Sequence, residues 1–277
     1  MPELPEVETT ARGIRPWLQG QIIKDVRVHH RGLRWPVPLE LKQVLRNQVV
    51  RSVWRRGKYL ILQTAVADVL IHLGMSGSLR IDRDDRARRA HDHLEWQLAN
   101  ATLRYHDPRR FGFVLLTENA REHPLLKRLG PEPLASGFTA EYLFRRSRRR
   151  RQAVKNFIMD SRVVAGVGNI YANEALFAAG IWPQAAAGRL ALKTYRRLVW
   201  AVRHILRQAI EAGGTTLQDF VNADGQPGYF AQSLMIYGRA GERCPQCGTL
   251  VRQVVIGQRS SFFCVNCQKT GRHRRNL

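Results

Sequence analysis

All four cysteines of this 277-residue chain lie near its C-terminus, at Cys244, Cys247, Cys264 and Cys267. The spacing is CxxC, sixteen intervening residues, then CxxC. No other feature restricts the local fold so tightly, because two such knuckles must bring four sulfurs together. Two disulfides are disfavoured in a reducing compartment, and a redox dithiol needs only one CxxC. Paired knuckles are a zinc pattern. Four thiolates complete a tetrahedral shell and leave no open position, so one structural Zn2+ without a catalytic role is expected. Between the knuckles, LVRQVVI and SSFFC read as the two strands of a hairpin.

The charge balance narrows the partner. Lys and Arg total 45 against 22 Asp and Glu, a net charge of +23. Self-repulsion on that scale costs stability, so it points to a polyanionic partner, nucleic acid first and an anionic membrane surface second. A membrane partner would call for a basic amphipathic helix or a lipidation signal, and the sequence offers neither. No apolar run approaches the ~18 residues of a membrane span, and the acidic N-terminus is unlike a signal peptide. The expectation is a soluble cytoplasmic protein. With 44% hydrophobic residues the chain can bury real cores, and its length fits two ordinary domains or one large one.

Periodicity changes along the chain. After Pro5, the residues Val7, Ala11, Ile14 and Leu18 fall on one helical face, with Pro5 in the first turn and Glu3, Glu6 and Glu8 near the positive end of the helix dipole. From Ile22 to Thr117 short segments such as KYLILQT, DVLIHL, HLEWQL, ATLRYH and FVLLT suggest an antiparallel sandwich or barrel. A Gly/Pro-punctuated stretch then runs into the basic RRSRRRR. From Val154 to Gly213 the pattern is helical. Its clearest part is the stripe Tyr195, Leu198, Val199, Val202, Ile205, Leu206 and Ala209, stopped by Gly213-Gly214. Residues 215–238 are polar and glycine-bearing, the composition of a loop that is either mobile or functional.

The N-terminus, MPELPEVE, has chemistry of its own. Removal of the initiator methionine ahead of a small residue would expose Pro2 as a secondary amine. A free α-amino group titrates near ~7.7–8.0, so part of it is neutral at cellular pH and nucleophilic toward a carbonyl-like carbon. With proline the adduct is an iminium ion, an electron sink that acidifies a neighbouring C–H. On MPE alone, a helix cap remains the commoner explanation.

More of the chain carries the same signal. MPELPEVE, HLGMSGSLR (72–80), HDPRRFG (106–112), GVGNIYANEALF (166–177), DGQPGYF (224–230) and the cysteine module stand in one order. Over nearly its whole length the chain resembles the formamidopyrimidine-DNA glycosylases, bacterial enzymes that excise oxidised purines. The resemblance implies an α+β fold. It would comprise an N-terminal helix with a two-layer antiparallel β-sandwich (1–132), a helix-two-turns-helix domain with a lesion-recognition loop (133–238), and a zinc β-hairpin finger (239–277).

It also implies roles. Pro2 would attack the sugar C1′, with Glu3 as proton donor for ring opening and Glu6 in support. A carboxyl can donate there only if burial raises its pKa, and a helix-capping role stays open for Glu3. Lys58, in RRGKYL, would be the donor of β-elimination, the alternative being a surface strand lysine. Arg259, in GQRSSFF, would act in δ-elimination. Arginine stays protonated in proteins, so a bidentate phosphate contact is its more natural work. Met75, Arg109 and Phe111 would fill the void left by a flipped nucleotide. His91, Arg109, Arg150, Lys155 and Asn169 would contact DNA. Arg150 stands where relatives carry lysine, which keeps the charge and changes the geometry.

Taken together, these residues imply a monomeric bifunctional glycosylase and abasic-site lyase. It would act on double-stranded DNA bearing 8-oxoguanine or formamidopyrimidines, and would be nucleoid-associated through that DNA. Two rivals are an endonuclease VIII-type enzyme for oxidised pyrimidines and a non-catalytic zinc-finger DNA-binding protein. ELPEVE with Met75, Arg109 and Phe111 favours the purine enzyme over the first. The second would need no reactive amine.

Overall fold

Apolar residues at helical spacing after Pro5 form helix α1, Leu4–Leu18, in the computed structural model, which describes residues 2–83, 87–214 and 233–269. Its stripe of Val7, Ala11, Ile14 and Leu18 is buried. Burying each such side chain contributes about 1.5–3 kcal/mol, which fixes the face the helix presents. The chain divides into two units, Met1–Arg128 with Ala209–Ala231, and Leu129–Gln208 with Gln232–Leu277.

In the first unit α1 is followed by β1 (Asp25–Val28), α2 (Leu41–Leu45), β2 (Ser52–Arg56), β3 (Tyr59–Gln63), β4 (Asp68–His72), β5 (Ser78–Asp82), β6 (Asp92–Gln97), β7 (Thr102–His106), β8 (Phe113–Thr117) and the short α3 (Pro124–Lys127). The strands form two four-stranded sheets, ordered β1-β6-β7-β5 and β2-β3-β4-β8. Every pairing in them is antiparallel. The five segments singled out in the sequence became β3, β4, β6, β7 and β8. One core joins α1 to both sheets, through Val53, Leu60, Leu62, Val69 and Ile71 of one sheet and Leu79, Leu94, Trp96, Leu103 and Tyr105 of the other. Between the sandwich and barrel left open by periodicity, the sandwich is what forms. Each sheet keeps its own edges, and the apolar faces close on one another.

A buried ionic network covers part of the first sheet. Arg80 Nη1 donates to Asp92 Oδ1 at 2.8 Å, and His106 Nδ1 lies 2.9 Å from the same oxygen. The Arg89 N–H donates to Asp92 Oδ2 at 2.8 Å, so this carboxylate also holds the chain leading into His91. Burial alone would raise the Asp92 pKa, but Arg80, His106 and the Arg89 N–H outweigh it and hold the carboxyl far below its ordinary value.

The second unit holds α4 (Ala140–Ser147), α5 (Val154–Met159), α6 (Asn169–Ala178), most of α7 (Leu192–Glu211) and the hairpin of β9 (Arg252–Ile256) and β10 (Arg259–Phe263). The predicted continuous helical stretch is three helices broken by turns. Gly166, at φ +85°, and Gly168, the N-cap of α6, make one of those breaks. The glycines expected to end α7 do so: Gly213 and Gly214 have φ +77° and +86°, and their N–H groups return to the carbonyls of Ile210 and Ala209.

Candidate active site and zinc centre

In the first unit the start of α1 organises the expected reaction centre. Pro2, Glu3 and Glu6 are all buried. Glu3 is the N-cap, and Glu3 and Glu6 form a reciprocal capping box, with the Glu3 N–H donating to Glu6 Oε2 at 2.8 Å. Capping and a place beside Pro2 are therefore compatible for Glu3, since the same helix start fixes both. Gly214 lies against Glu6, and a Cβ added there would stand 3.3 Å from both Glu6 Cγ and Oε1.

Lys58 occupies the two-residue turn between β2 and β3. Gly57, at φ +58°, takes the first turn position, which suits glycine. Arg55 ties this turn to α1: its Nε donates to Glu8 Oε2 at 2.9 Å and its Nη1 to the Gly57 carbonyl at 3.0 Å. Arg15 adds a second tie through the Val53 carbonyl at 3.0 Å. The helix bearing Pro2 and the hairpin bearing Lys58 are thus held by directional bonds as well as by core packing.

Register places His72 opposite both Tyr59 and Phe113, and its ring stacks on Phe113 at 5.2 Å. Burial, then the charges of Lys58 and Arg34, lower its pKa to about 4. His72 is therefore neutral near pH 7. Its Nδ1 accepts the Gly74 N–H at 3.0 Å, which leaves the proton on Nε2. His72 opens HLGMSGSLR, a segment whose pattern assigns it no role. Its signal was position, the last residue of a strand ending at the Lys58 turn's level.

The trio expected to fill a void lies in the same unit. Met75 is half-buried, Arg109 is exposed and Phe111 is 44% exposed. The Arg109 guanidinium lies 4.8 Å from the Phe111 ring centroid. Arg109 and Phe111, with Gly32, Arg34 and Arg110, line an open cleft of about 650 Å³. His91 is exposed at φ +67°.

In the second unit Arg259 opens β10 and is exposed. The preceding turn, Gly257-Gln258, has φ +55° and +61°, the two-residue geometry that reverses a tight hairpin. Lys155 departs from expectation. It is 0% exposed, and its Nζ donates to the Ser260 carbonyl at 2.9 Å and to Ser261 Oγ at 2.6 Å. An ammonium so enclosed does not reach DNA phosphate, and it anchors the strand that begins with Arg259. Asn169 Nδ2 also donates to the Ser260 carbonyl, at 3.1 Å, and Asn173 Oδ1 accepts the Phe262 N–H at 2.8 Å. Arg150 is exposed in the loop between α4 and α5.

Glu174 of α6 was not foreseen. Its buried carboxylate accepts the N–H groups of Met235, Ile236 and Tyr237 at 3.0, 3.0 and 2.8 Å, fixing the chain just after residues 215–232. Burial raises its pKa in spite of those bonds. The loop expected over residues 215–238 lies outside the described residues up to residue 232, DGQPGYF included.

The four cysteine sulfurs lie within 4.8 Å of one another. Cys244 to Cys267 is 3.8 Å and Cys247 to Cys264 is 3.4 Å. With Zn–S bonds of ~2.3 Å, a tetrahedron has edges of about 3.8 Å, so the donor set and spacing fit zinc. Two turns shape it: the Gly248 N–H donates to the Cys244 carbonyl and the Gln268 N–H to the Cys264 carbonyl, each at 2.9 Å. Gln268 also bonds the Cys264 N–H and the Ile181 carbonyl, joining the second knuckle to the segment after α6.

Three family models match in sequence: the formamidopyrimidine-DNA glycosylase N-terminal domain over residues 1–114, the H2TH domain of the same enzymes over 129–221, and a zinc finger found in FPG and IleRS over 241–270. The chain is 53% identical over 270 residues to the formamidopyrimidine-DNA glycosylase of Marinobacter nauticus, covering 97% of this chain and 100% of that one. The chain belongs to the formamidopyrimidine-DNA glycosylase family. The structure of Lactococcus lactis Fpg with DNA containing an abasic site superposes at a TM-score of 0.89, with 32% identity over 96% of this chain and 99% of that one. The same enzyme with DNA containing N7-benzyl-Fapy-dG gives 0.89, with 32% identity, 97% and 100%.

For a member of this family the cysteine cluster is a site for one structural zinc. Cys244, Cys247, Cys264 and Cys267 are its ligands, and the metal supplies folding energy to the hairpin and no reaction step. The first unit brings together Pro2, Glu3 and Glu6 at the start of α1, with Lys58 on the hairpin tied to that helix. The second brings together Arg259, Lys155 and Asn169 around one strand.

Proposed function

We propose that the chain is a DNA glycosylase and abasic-site lyase of base excision repair. It would act on double-stranded DNA carrying oxidised purines, 8-oxoguanine and formamidopyrimidines. The observation that carries this reading is full-length family membership joined to a buried Pro2-Glu3 start held by the Glu6 cap. After methionine removal, the Pro2 amine attacks C1′ of a flipped nucleotide and the base departs with its electron pair. Glu3 donates the proton that opens the sugar ring, giving an iminium at C1′. Loss of a C2′ proton expels the 3′ phosphate, and a second elimination expels the 5′ phosphate. Lys58 is the donor beside the first step. Arg259 holds the flanking phosphate as a fixed cation.

Met75, Arg109 and Phe111 occupy the space vacated by the flipped nucleotide, while His91, Arg150 and Asn169 hold the backbone. The three working segments are 1–132, 133–238 and 239–277. The enzyme acts as a monomer in the cytoplasm, on the nucleoid. Support for a bacterial setting is the bacterial origin of the relatives, and no described helix is long and apolar enough to cross a membrane.

Borohydride reduction of the protein with 8-oxoguanine duplex, followed by intact mass, tests the reading. A covalent adduct on protein lacking Met1 is expected. Methionine-free protein that forms no adduct would remove the nucleophile assignment and leave the zinc-finger binder.

A further inference from the structure

Asp107 is fully buried, and its carboxylate collects donors from separate segments of the first unit. Oδ1 accepts the Ser76 hydroxyl at 2.8 Å. Oδ2 accepts the Gly112 N–H at 2.8 Å and the Tyr105 hydroxyl at 3.3 Å. Its main chain reaches a third segment: the Asp107 N–H donates to the His91 carbonyl at 3.1 Å, and the Asp107 carbonyl lies 2.8 Å from His93 Nε2. Ser76 follows Met75, and Gly112 follows Phe111. One carboxylate therefore fixes the backbone beside Met75 and Phe111, while its own peptide group fixes His91.

Close packing leaves these segments no slack. A Cβ at Gly74 would collide with the backbone of Phe111 and Gly112, and one at Gly112 would collide with the Tyr105 hydroxyl and the His72 carbonyl. The loops are in backbone contact, and the carboxylate under them is the group that satisfies both. An exposed loop carrying Phe111 and Arg109 would otherwise pay its ordering entropy on meeting DNA.

We propose that Asp107 is a positioning residue that pre-organises Met75, Arg109 and Phe111 for insertion into the duplex, and that it touches no reacting atom. This rests on the glycosylase reading above. Asp107→Asn keeps the shape but replaces one acceptor by an NH2 group, so the Ser76 hydroxyl must turn to accept and the bonds to Gly112 and Tyr105 lose their charge. Losing a hydrogen bond to a buried charge on this scale lowers the rate roughly tenfold to a hundredfold where insertion is required.

The test compares two substrates under single-turnover conditions. One is a duplex with 8-oxoguanine and 2-aminopurine beside the opposite cytosine. The other is a single-stranded abasic oligonucleotide, which has no stack to fill. Asp107→Asn should lose base excision on the duplex by at least tenfold more than strand cleavage on the single strand, and should blunt the 2-aminopurine signal of insertion. Ser76→Ala, which cuts only the Met75 tie, should move the same ratio in the same direction by a smaller factor. Equal losses on both substrates, or an unchanged ratio in Ser76→Ala if Asp107→Asn does not fold, would overturn the proposal. Wild-type protein inactive on both substrates would instead remove the glycosylase reading itself.

Discussion

Lys155→Met separates two physical roles for one cation. If Lys155 contacted a phosphate, its loss would release one fewer counterion and reduce the slope of log Kobs against log salt by about 0.9. The structure places its Nζ instead on the Ser260 carbonyl and Ser261 Oγ, at 2.9 and 2.6 Å, inside the second unit. Methionine fills similar space and takes one charged donor from each acceptor, while the Ser260 carbonyl keeps Asn169 Nδ2 and the Ser261 hydroxyl keeps its bond to the Arg259 carbonyl. Each lost bond to a charged donor contributes about 1.5–3 kcal/mol. Removing a buried ammonium returns part of that, because its desolvation is no longer needed. The expected net loss is about 2 kcal/mol, which for a protein of this size lowers Tm by roughly 4–8 °C. The assay is fluorescence anisotropy with a tetrahydrofuran-containing duplex across a salt series, beside thermal unfolding. An unchanged salt slope with a lowered Tm is expected. A slope reduced by about one with Tm intact would refute the buried-anchor assignment.

Other outcomes follow from the same geometry. Pro2→Gly should greatly slow both base release and strand cleavage while duplex binding persists; normal turnover would remove Pro2 as nucleophile. His72 has a folded pKa of about 4, below its ordinary value of about 6.5. The unfolded chain therefore binds the extra proton between those values, and stability falls as pH drops through that window. The loss from pH 7 to pH 5 is about 2 kcal/mol. Urea unfolding at the two pH values should show a loss larger by about 2 kcal/mol in the wild type than in His72→Gln, which keeps the contributions of His93 and His123. Cys264→Ser opens the zinc shell and should unfold the hairpin and abolish DNA binding, with zinc release read by a chelating dye. Binding that survives metal loss would contradict a folding role for the zinc.

What was legible in the sequence was whatever repeats locally. The α1 stripe, the apolar strands, the glycine stop after α7 and the CxxC spacing each express a period or a local bond pattern, and each appears where expected. Family likeness supplied the reactive groups, because no periodicity marks Pro2 or Lys58 as chemical. Non-local partners were invisible. Lys155 and Ser261 are 106 residues apart, Glu174 and Tyr237 are 63 apart, and Ser76 and Asp107 are 31 apart. A lysine in a basic chain reads as a phosphate contact until its partner is known. Asp107 stands inside HDPRRFG, but neither periodicity nor spacing marks a carboxylate there as the partner of Ser76 and Gly112.

Among the described residues eight carboxylates are buried, Glu3, Glu6, Asp68, Asp82, Asp92, Glu95, Asp107 and Glu174, against only Arg80, Arg104 and Lys155 among the arginines and lysines. Asp82 and Glu95 pair with Arg80, Arg104 and His29, but several of the others follow a common theme. Glu6 caps α1, Asp68 accepts the Ala120 N–H at 2.8 Å, Glu174 accepts three N–H groups, and Asp107 joins two loops. A carboxylate that accepts backbone N–H groups holds a loop without presenting negative charge to solvent. Burying acids in that work leaves the exposed charges predominantly positive within the same net charge of +23. The same choice of residue thus shapes the loops expected to meet DNA while keeping negative charge off the surface beside them.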